Sequence, residues 1–152
     1  MKKITAVIMV MSFLFAGLAV AAGSKGTPAE AEAMVKKAIN YIKENGKAKA
    51  FAEFSNPKGK FVDRDLYITV YDMTGKCLAH GANQKMIGKD MIELRDLDGK
   101  PYVKERQDMA KEKGKGWIQY KFTNPVTKMI EDKTSYFEKY DDVIITCGAY
   151  KK

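Results

Sequence analysis

From Leu66 to Asp72 the side chains alternate with the period of two that marks a β-strand: Leu66, Ile68 and Val70 on one face, Tyr67, Thr69 and Tyr71 on the other. Neither set is hydrophilic, so the strand is predicted to be buried on both sides. Asp72-Met73-Thr74-Gly75 supplies an Asp side chain and a permissive glycine for a turn, and Lys76 to Gly81 returns as a second strand, making a hairpin. Upstream the period lengthens. Met34, Val35, Ala38, Ile39 and Ile42 recur at helical spacing behind Thr27-Pro28-Ala29-Glu30, a capping box with proline at the first helical position, and Asn45-Gly46 ends the helix. A second helical stretch from Lys47 to Phe54 puts Phe51 and Phe54 on one side and stops at Asn56-Pro57.

Beyond the hairpin, Ala82 to Gly99 reads as a long connection with Gly88, Asp96, Asp98 and Gly99 as turn residues and one helical turn around Met91; such connections often carry function. Pro101 opens a further helix with Tyr102, Arg106, Met109 and Ala110 on one face, ended by Gly114-Lys115-Gly116. Three strands follow: Trp117 to Thr123, then Met129 to Glu138 after an Asn124-Pro125 turn, then Val143 to Tyr150 after Asp141-Asp142. Helices, two strands, helices and three strands are most economically satisfied by an α+β fold, a five-stranded antiparallel sheet with helices packed on its faces.

The chain opens with Met1-Lys2-Lys3 and runs uncharged from Ile4 to Val20, the pattern of an export signal, and Ala19-Val20-Ala21 fits a cleavage site. Residues 1–21 are read as a signal peptide and residues 22–152 as one periplasmic domain, with an uncleaved membrane anchor as the alternative because the 17 uncharged residues lie at the lower edge of a span. Losing Lys2 and Lys3 takes the formal charge from +8 to +6. The remaining basic residues alternate with acidic ones, as in Lys104-Glu105-Arg106 and Lys111-Glu112-Lys113, which describes a solvated face and not a nucleic-acid stripe.

His80 is the only histidine, which argues against a catalytic pair or a multi-histidine metal site. It reads as a satisfied sheet-edge residue or, alternatively, as a ligand contact that titrates near pH 6.5. Asp96-Leu97-Asp98-Gly99 begins like a calcium loop but lacks the later acidic ligands, and so reads as a turn. No nucleophile elbow, zinc motif or haem-attachment motif occurs, so neither an enzyme nor a cofactor is expected. Parity along the strands separates Lys133 from Tyr136 and Trp117 from Tyr120, so only one of each pair can line a given face.

The element order and its residues resemble the single Cache domain family, extracytoplasmic PAS-like sensor domains. The similarity is carried by Leu66 to Asp72 with Gly75, Leu78-Ala79-His80-Gly81, Ile87-Gly88-Lys89-Asp90 and Asp96-Leu97-Asp98-Gly99-Lys100. Towards the C-terminus it continues in Gly116-Trp117-Ile118-Gln119-Tyr120, Asn124-Pro125, Lys133-Thr134-Ser135-Tyr136 and Gly148-Ala149-Tyr150. The resemblance implies a pocket between one sheet face and the helices and connection that follow the second strand. It also implies a small metabolite as ligand, often a carboxylate or amino acid. Tyr67, Tyr71, His80, Trp117, Tyr120, Lys133 and Tyr136 are the candidate ligand contacts, with Lys133 suited to a carboxylate. Tyr67 and Tyr71 are assigned to the pocket face because the aliphatic face of their strand suits the N-terminal helix. The PAS-like strand order puts Cys77 and Cys147 two strand spacings apart, which opposes a disulfide. The expected function is a periplasmic binding or sensing module without an output domain of its own, working with a membrane sensor or transporter, with a homodimer through the N-terminal helix left open. A structural or interaction module whose pocket is filled by its own side chains is the alternative, with a small secreted enzyme behind it.

Overall fold

The computed structural model describes residues 24–151. The expected signal peptide and its cleavage point lie outside them, and among the described residues no helix is long and apolar enough to cross a membrane. Helix α1 (Pro28–Asn45) begins at the expected capping box: the Glu30 amide donates to Thr27 Oγ1 at 3.2 Å and the Thr27 amide to Glu30 Oε2 at 2.8 Å. It turns at Gly46 (φ 79°) into α2 (Lys47–Phe54).

The strand expected from Leu66 to Asp72 is divided. Arg64 adopts a left-handed φ of 57° in a tight turn that pairs β1 (Val62–Asp63) with β2 (Leu66–Tyr67), and the Ile68 amide donates to Phe61 O, outside the main ladder. The main sheet then takes up β3 (Thr69–Asp72) and β4 (Cys77–His80), joined by a turn in which Asp72 Oδ1 accepts the amides of Thr74, Gly75 and Lys76. The helical turn expected around Met91 is instead a 3₁₀ turn at Gln84–Met86. The Asn83 side chain caps it, whereas Met91 is a buried, non-helical residue. Helix α3 (Tyr102–Lys113) ends at Gly114 in left-handed geometry, and Lys115 already belongs to β5 (Lys115–Thr123), followed by β6 (Ile130–Tyr140) and β7 (Val143–Tyr150).

The five strands are antiparallel in the order β4-β3-β7-β6-β5. The last strand in sequence therefore sits in the middle, and all of its residues are buried. Its alternating side chains serve two cores. Val143, Ile145, Cys147 and Ala149 meet Val35, Ala38 and Ile42 of α1, and the α2 end of this layer holds the edge-on pair Phe54 and Phe61. On the other face Ile144 packs with Tyr71, Cys77, Ile118, Phe137 and, from α3, Val103 and Ala110. Cys77 and Cys147 thus belong to different cores with β3 between their strands, and both are free thiols.

Candidate ligand-binding site

The α3 face of the sheet changes character along its length. Beyond Ile144 and Phe137 it becomes polar and aromatic, and a narrow hollow opens where Tyr67, Tyr71, His80, Tyr120 and Lys133 converge. The parity of the strands decides this. Lys133 pairs with Tyr120 across β5 and β6, and both project into the hollow. Trp117 pairs with Tyr136, and both project to the opposite face, with their rings 5.1 Å apart. The expectation that Trp117 and Tyr136 line the pocket face with the others is therefore corrected: Tyr136 belongs to the α1 core with its hydroxyl on Glu138, and Trp117 is 39% exposed beside it.

Lys133 is 3% exposed. Its Nζ donates to Tyr67 Oη at 2.8 Å and to Tyr150 Oη at 3.2 Å, and lies 4.1 Å from the centre of the Tyr67 ring. An ammonium has three N–H donors, so two neutral hydroxyls leave one without an acceptor. The side chain reaches its place across a glycine: a Cβ at Gly148 would lie 2.4 Å from Lys133 Cε and 2.1 Å from Ser135 Oγ. Burial favours the neutral amine and lowers the Lys133 pKa to about 7, against a weaker opposing pull from Cys147 and Asp65. Asp65 is itself occupied, accepting from the Gly26 amide and from Asn124 Nδ2.

His80 stacks on Tyr67 with ring centres 5.2 Å apart. Its Nδ1 accepts the amides of Ala82 and Asn83, which puts the ring proton on Nε2 and ties the start of the long connection to the hollow. Burial, assisted by the charge of Lys133, lowers its pKa to about 3. The titration near 6.5 expected for a solvated ring is thereby displaced, and His80 stays neutral through the physiological range.

Several wall residues lay outside the sequence expectation. Tyr102 of α3 stacks on Tyr120 at 4.1 Å, nearly parallel, and Phe122 meets both edge-on. Tyr120 Oη and Ser135 Oγ are 3.0 Å apart, and Tyr150 donates to Thr123 O. Phe122 and Ser135 follow from the parity of Tyr120 and Lys133, and Tyr102 from its helical face. The room enclosed is about 10 Å³ of water-accessible volume, close to that of one water molecule and less than the metabolite-sized hollow anticipated. Wider clefts of about 130–190 Å³ lie on the surface, and one of them shares Tyr120 and Lys133 with the hollow. Their charges are largely paired already, as in Lys121 with Asp98 and Lys25 with Glu131. The buried hollow therefore has the stronger claim as a recognition site. The Asp96 turn fastens the connection to the edge of β5, accepting the amides of Asp98, Lys100 and Lys121. Among the described residues no group of three or more His, Cys, Asp or Glu could hold a metal ion.

Comparison with known proteins gives a consistent result. The model of the family described as Single Cache domain 2 matches residues 4–152. The methyl-accepting chemotaxis protein McpP of Pseudomonas putida is 30% identical over 90 residues, which are 58% of this chain and 16% of McpP. The sensor histidine kinase MctS of Rhizobium johnstonii is 35% identical over 78 residues, 51% of this chain and 17% of MctS. The matches thus span about a sixth of each relative. The fold recurs in a methyl-accepting chemotaxis protein of Vibrio parahaemolyticus, with a TM-score of 0.70, 23% identity and coverage of 80% of this chain and 86% of that one. It recurs equally in a Cache chemosensory domain solved for carboxylic acid recognition, with a TM-score of 0.70, 22% identity and coverage of 82% and 92%.

Proposed function

The chain belongs to the single Cache domain family, and we propose that it is a periplasmic sensing module for a small organic acid whose carboxylate docks at Lys133. The observation that carries this reading is a buried cation with only neutral hydroxyls as acceptors and one N–H to spare. An anion there completes the hydrogen bonding of the ammonium and offsets the desolvation that favours its neutral form. The fold neighbour whose subject is carboxylic acid recognition supports the choice of ligand class.

Entry requires Tyr102 to leave Tyr120, because the room between the walls is otherwise that of a water molecule. A carboxylate that accepts the spare N–H of Lys133 weakens the ammonium's hold on Tyr67 Oη. Tyr67 in turn carries the His80 ring, and His80 holds the amides of Ala82 and Asn83. Ligand binding thereby biases the arrangement of the connection from 82 to 99, which a membrane sensor or transporter partner reads by its differential affinity for the two arrangements. On this reading the leader is cleaved near Ala22, the module performs no catalysis, and any homodimer forms through α1.

A second reading is an interaction module with a filled pocket, favoured by the small enclosed volume. A thermal-shift panel of small mono- and dicarboxylates and amino acids separates the two. At least one acid is expected to raise Tm of the wild type and not of Lys133→Met. A flat response across the panel with folded protein overturns the sensing assignment.

A further inference from the structure

Lys133 is not the only buried cation on this face. Arg106, on α3 one turn beyond Tyr102, is 1% exposed and is the largest of the fully buried side chains. A guanidinium remains charged at any ordinary pH and presents five donors. Its Nε makes only a long contact of 3.4 Å with Gln107 Oε1, and Gln107 is itself engaged in donating to Asp72 O. Its Nη2 has no hydrogen-bond partner, alone among the buried side-chain nitrogens and oxygens of the described residues. No ion pair joins it to a carboxylate among those residues. A fully buried charge in this condition calls for an acceptor from outside the chain.

Its position says what kind. The Arg106 guanidinium lies 4.0 Å over the ring of Tyr71, a wall of the hollow, while Lys133 contacts Tyr67. Tyr67 and Tyr71 share a face of one extended segment four residues apart, about 13 Å at roughly 3.3 Å per residue. Each cation therefore rests on a different tyrosine of the same hollow, Lys133 on Tyr67 and Arg106 on Tyr71. Tyr102 and Tyr120, stacked on one another, line the same hollow.

Resting on the carboxylate reading above, we infer that Arg106 is a second anion contact and that the site takes a short-chain dicarboxylate, one carboxylate at each cation. A dianion matches a pair of buried positive charges; a monoanion leaves Arg106 as it is.

Titration calorimetry with acetate and succinate as probes, on wild type, Arg106→Gln and Arg106→Lys, tests this. The wild type is expected to bind succinate at least tenfold more tightly than acetate. Arg106→Gln should lose that preference, weakening succinate at least tenfold more than acetate, and Arg106→Lys should restore part of it. Circular dichroism confirms that each variant is folded; if Arg106→Gln is not, Arg106→Lys with its altered donor geometry and the wild-type ratio of the two acids decide. Equal wild-type affinities, or a parallel loss of both acids in a folded variant, overturn the second contact and leave the Lys133 reading standing. Absence of binding by either acid and by every other carboxylate of the thermal-shift panel overturns both.

Discussion

The two faces of the central strand β7 are built from the same eight residues and to opposite ends. Towards α1 it shows Val143, Ile145, Cys147 and Ala149 to an apolar layer completed by Val35, Ala38, Ile39 and Ile42. Towards α3 it shows Ile144, then Thr146, Gly148 and Tyr150, and its neighbours are tyrosines, a lysine and an arginine. The first face gains free energy from burial at about 25 cal/mol per Å² and carries no unsatisfied side-chain atom. The second buries two cations with few acceptors, an arrangement that costs stability and, on the proposed function, serves recognition. Stability and chemistry are thus divided by the pleat of one sheet, and the division can be tested by mutating across it.

The largest effect is expected in the α1 layer. Phe54 is fully buried against Phe61 and Tyr41, and Phe54→Ala should lower unfolding free energy by about 3–5 kcal/mol in urea denaturation. Lys133→Met on the other face should behave in the opposite way. Removing an unpaired buried cation leaves Tm unchanged or raised, while the lost charged hydrogen bond weakens carboxylate binding by about 2 kcal/mol, some thirtyfold by calorimetry. A Lys133→Met variant that unfolds easily and binds normally would reverse the assignment of the two faces.

An effect that is smaller per pH unit follows from protonation. The folded Lys133 pKa of about 7 lies below its ordinary 10.5, so between these values the unfolded chain holds the proton that the folded chain has released. Unliganded stability, measured relative to Lys133→Met, should therefore rise with pH through that window by up to about 1.4 kcal/mol per unit, and the advantage should vanish as pH falls below about 7. Carboxylate affinity runs the other way, because the anion needs the ammonium, and should fall up to tenfold per unit above pH 7. Equal pH profiles for wild type and Lys133→Met would remove Lys133 as the titrating group.

How much of this was legible in the chain differs between the faces for a physical reason. Periodicity reports which side chains share a face, and it located α1, the β3–β4 hairpin, the three C-terminal strands and the placement of Tyr67 and Tyr71 away from α1. It also showed that Lys133 and Tyr136 part company, as do Trp117 and Tyr120, without saying which member faces the hollow; pairing across β5 and β6 supplies that. The turn at Arg64 that divides the first strand depends on a left-handed non-glycine residue, for which the local sequence offered little signal. Arg106 was read as part of a helical face, but its lack of an ion pair among the described residues is a tertiary fact. So is the closure of the hollow by Tyr102, which is 18 residues from its stacking partner in sequence.

The smallest expected effect is the most direct check on the division. Trp117→Phe and Tyr136→Phe alter aromatic residues three positions and one position along the strands from pocket residues, Trp117 three before Tyr120 and Tyr136 beside Ser135. Their rings face away from the hollow, Tyr136 into the α1 layer and Trp117 towards solvent. Tyr136→Phe removes a hydroxyl bonded to Glu138 and leaves the buried ring in place, so both variants should bind a carboxylate within twofold of wild type. Tyr120→Phe removes the hydroxyl that meets Ser135 at the pocket wall and should change affinity measurably more than either. Equal losses for all three would mean that the sheet transmits side-chain changes between its faces, and that the pleat does not insulate the binding layer from the structural one.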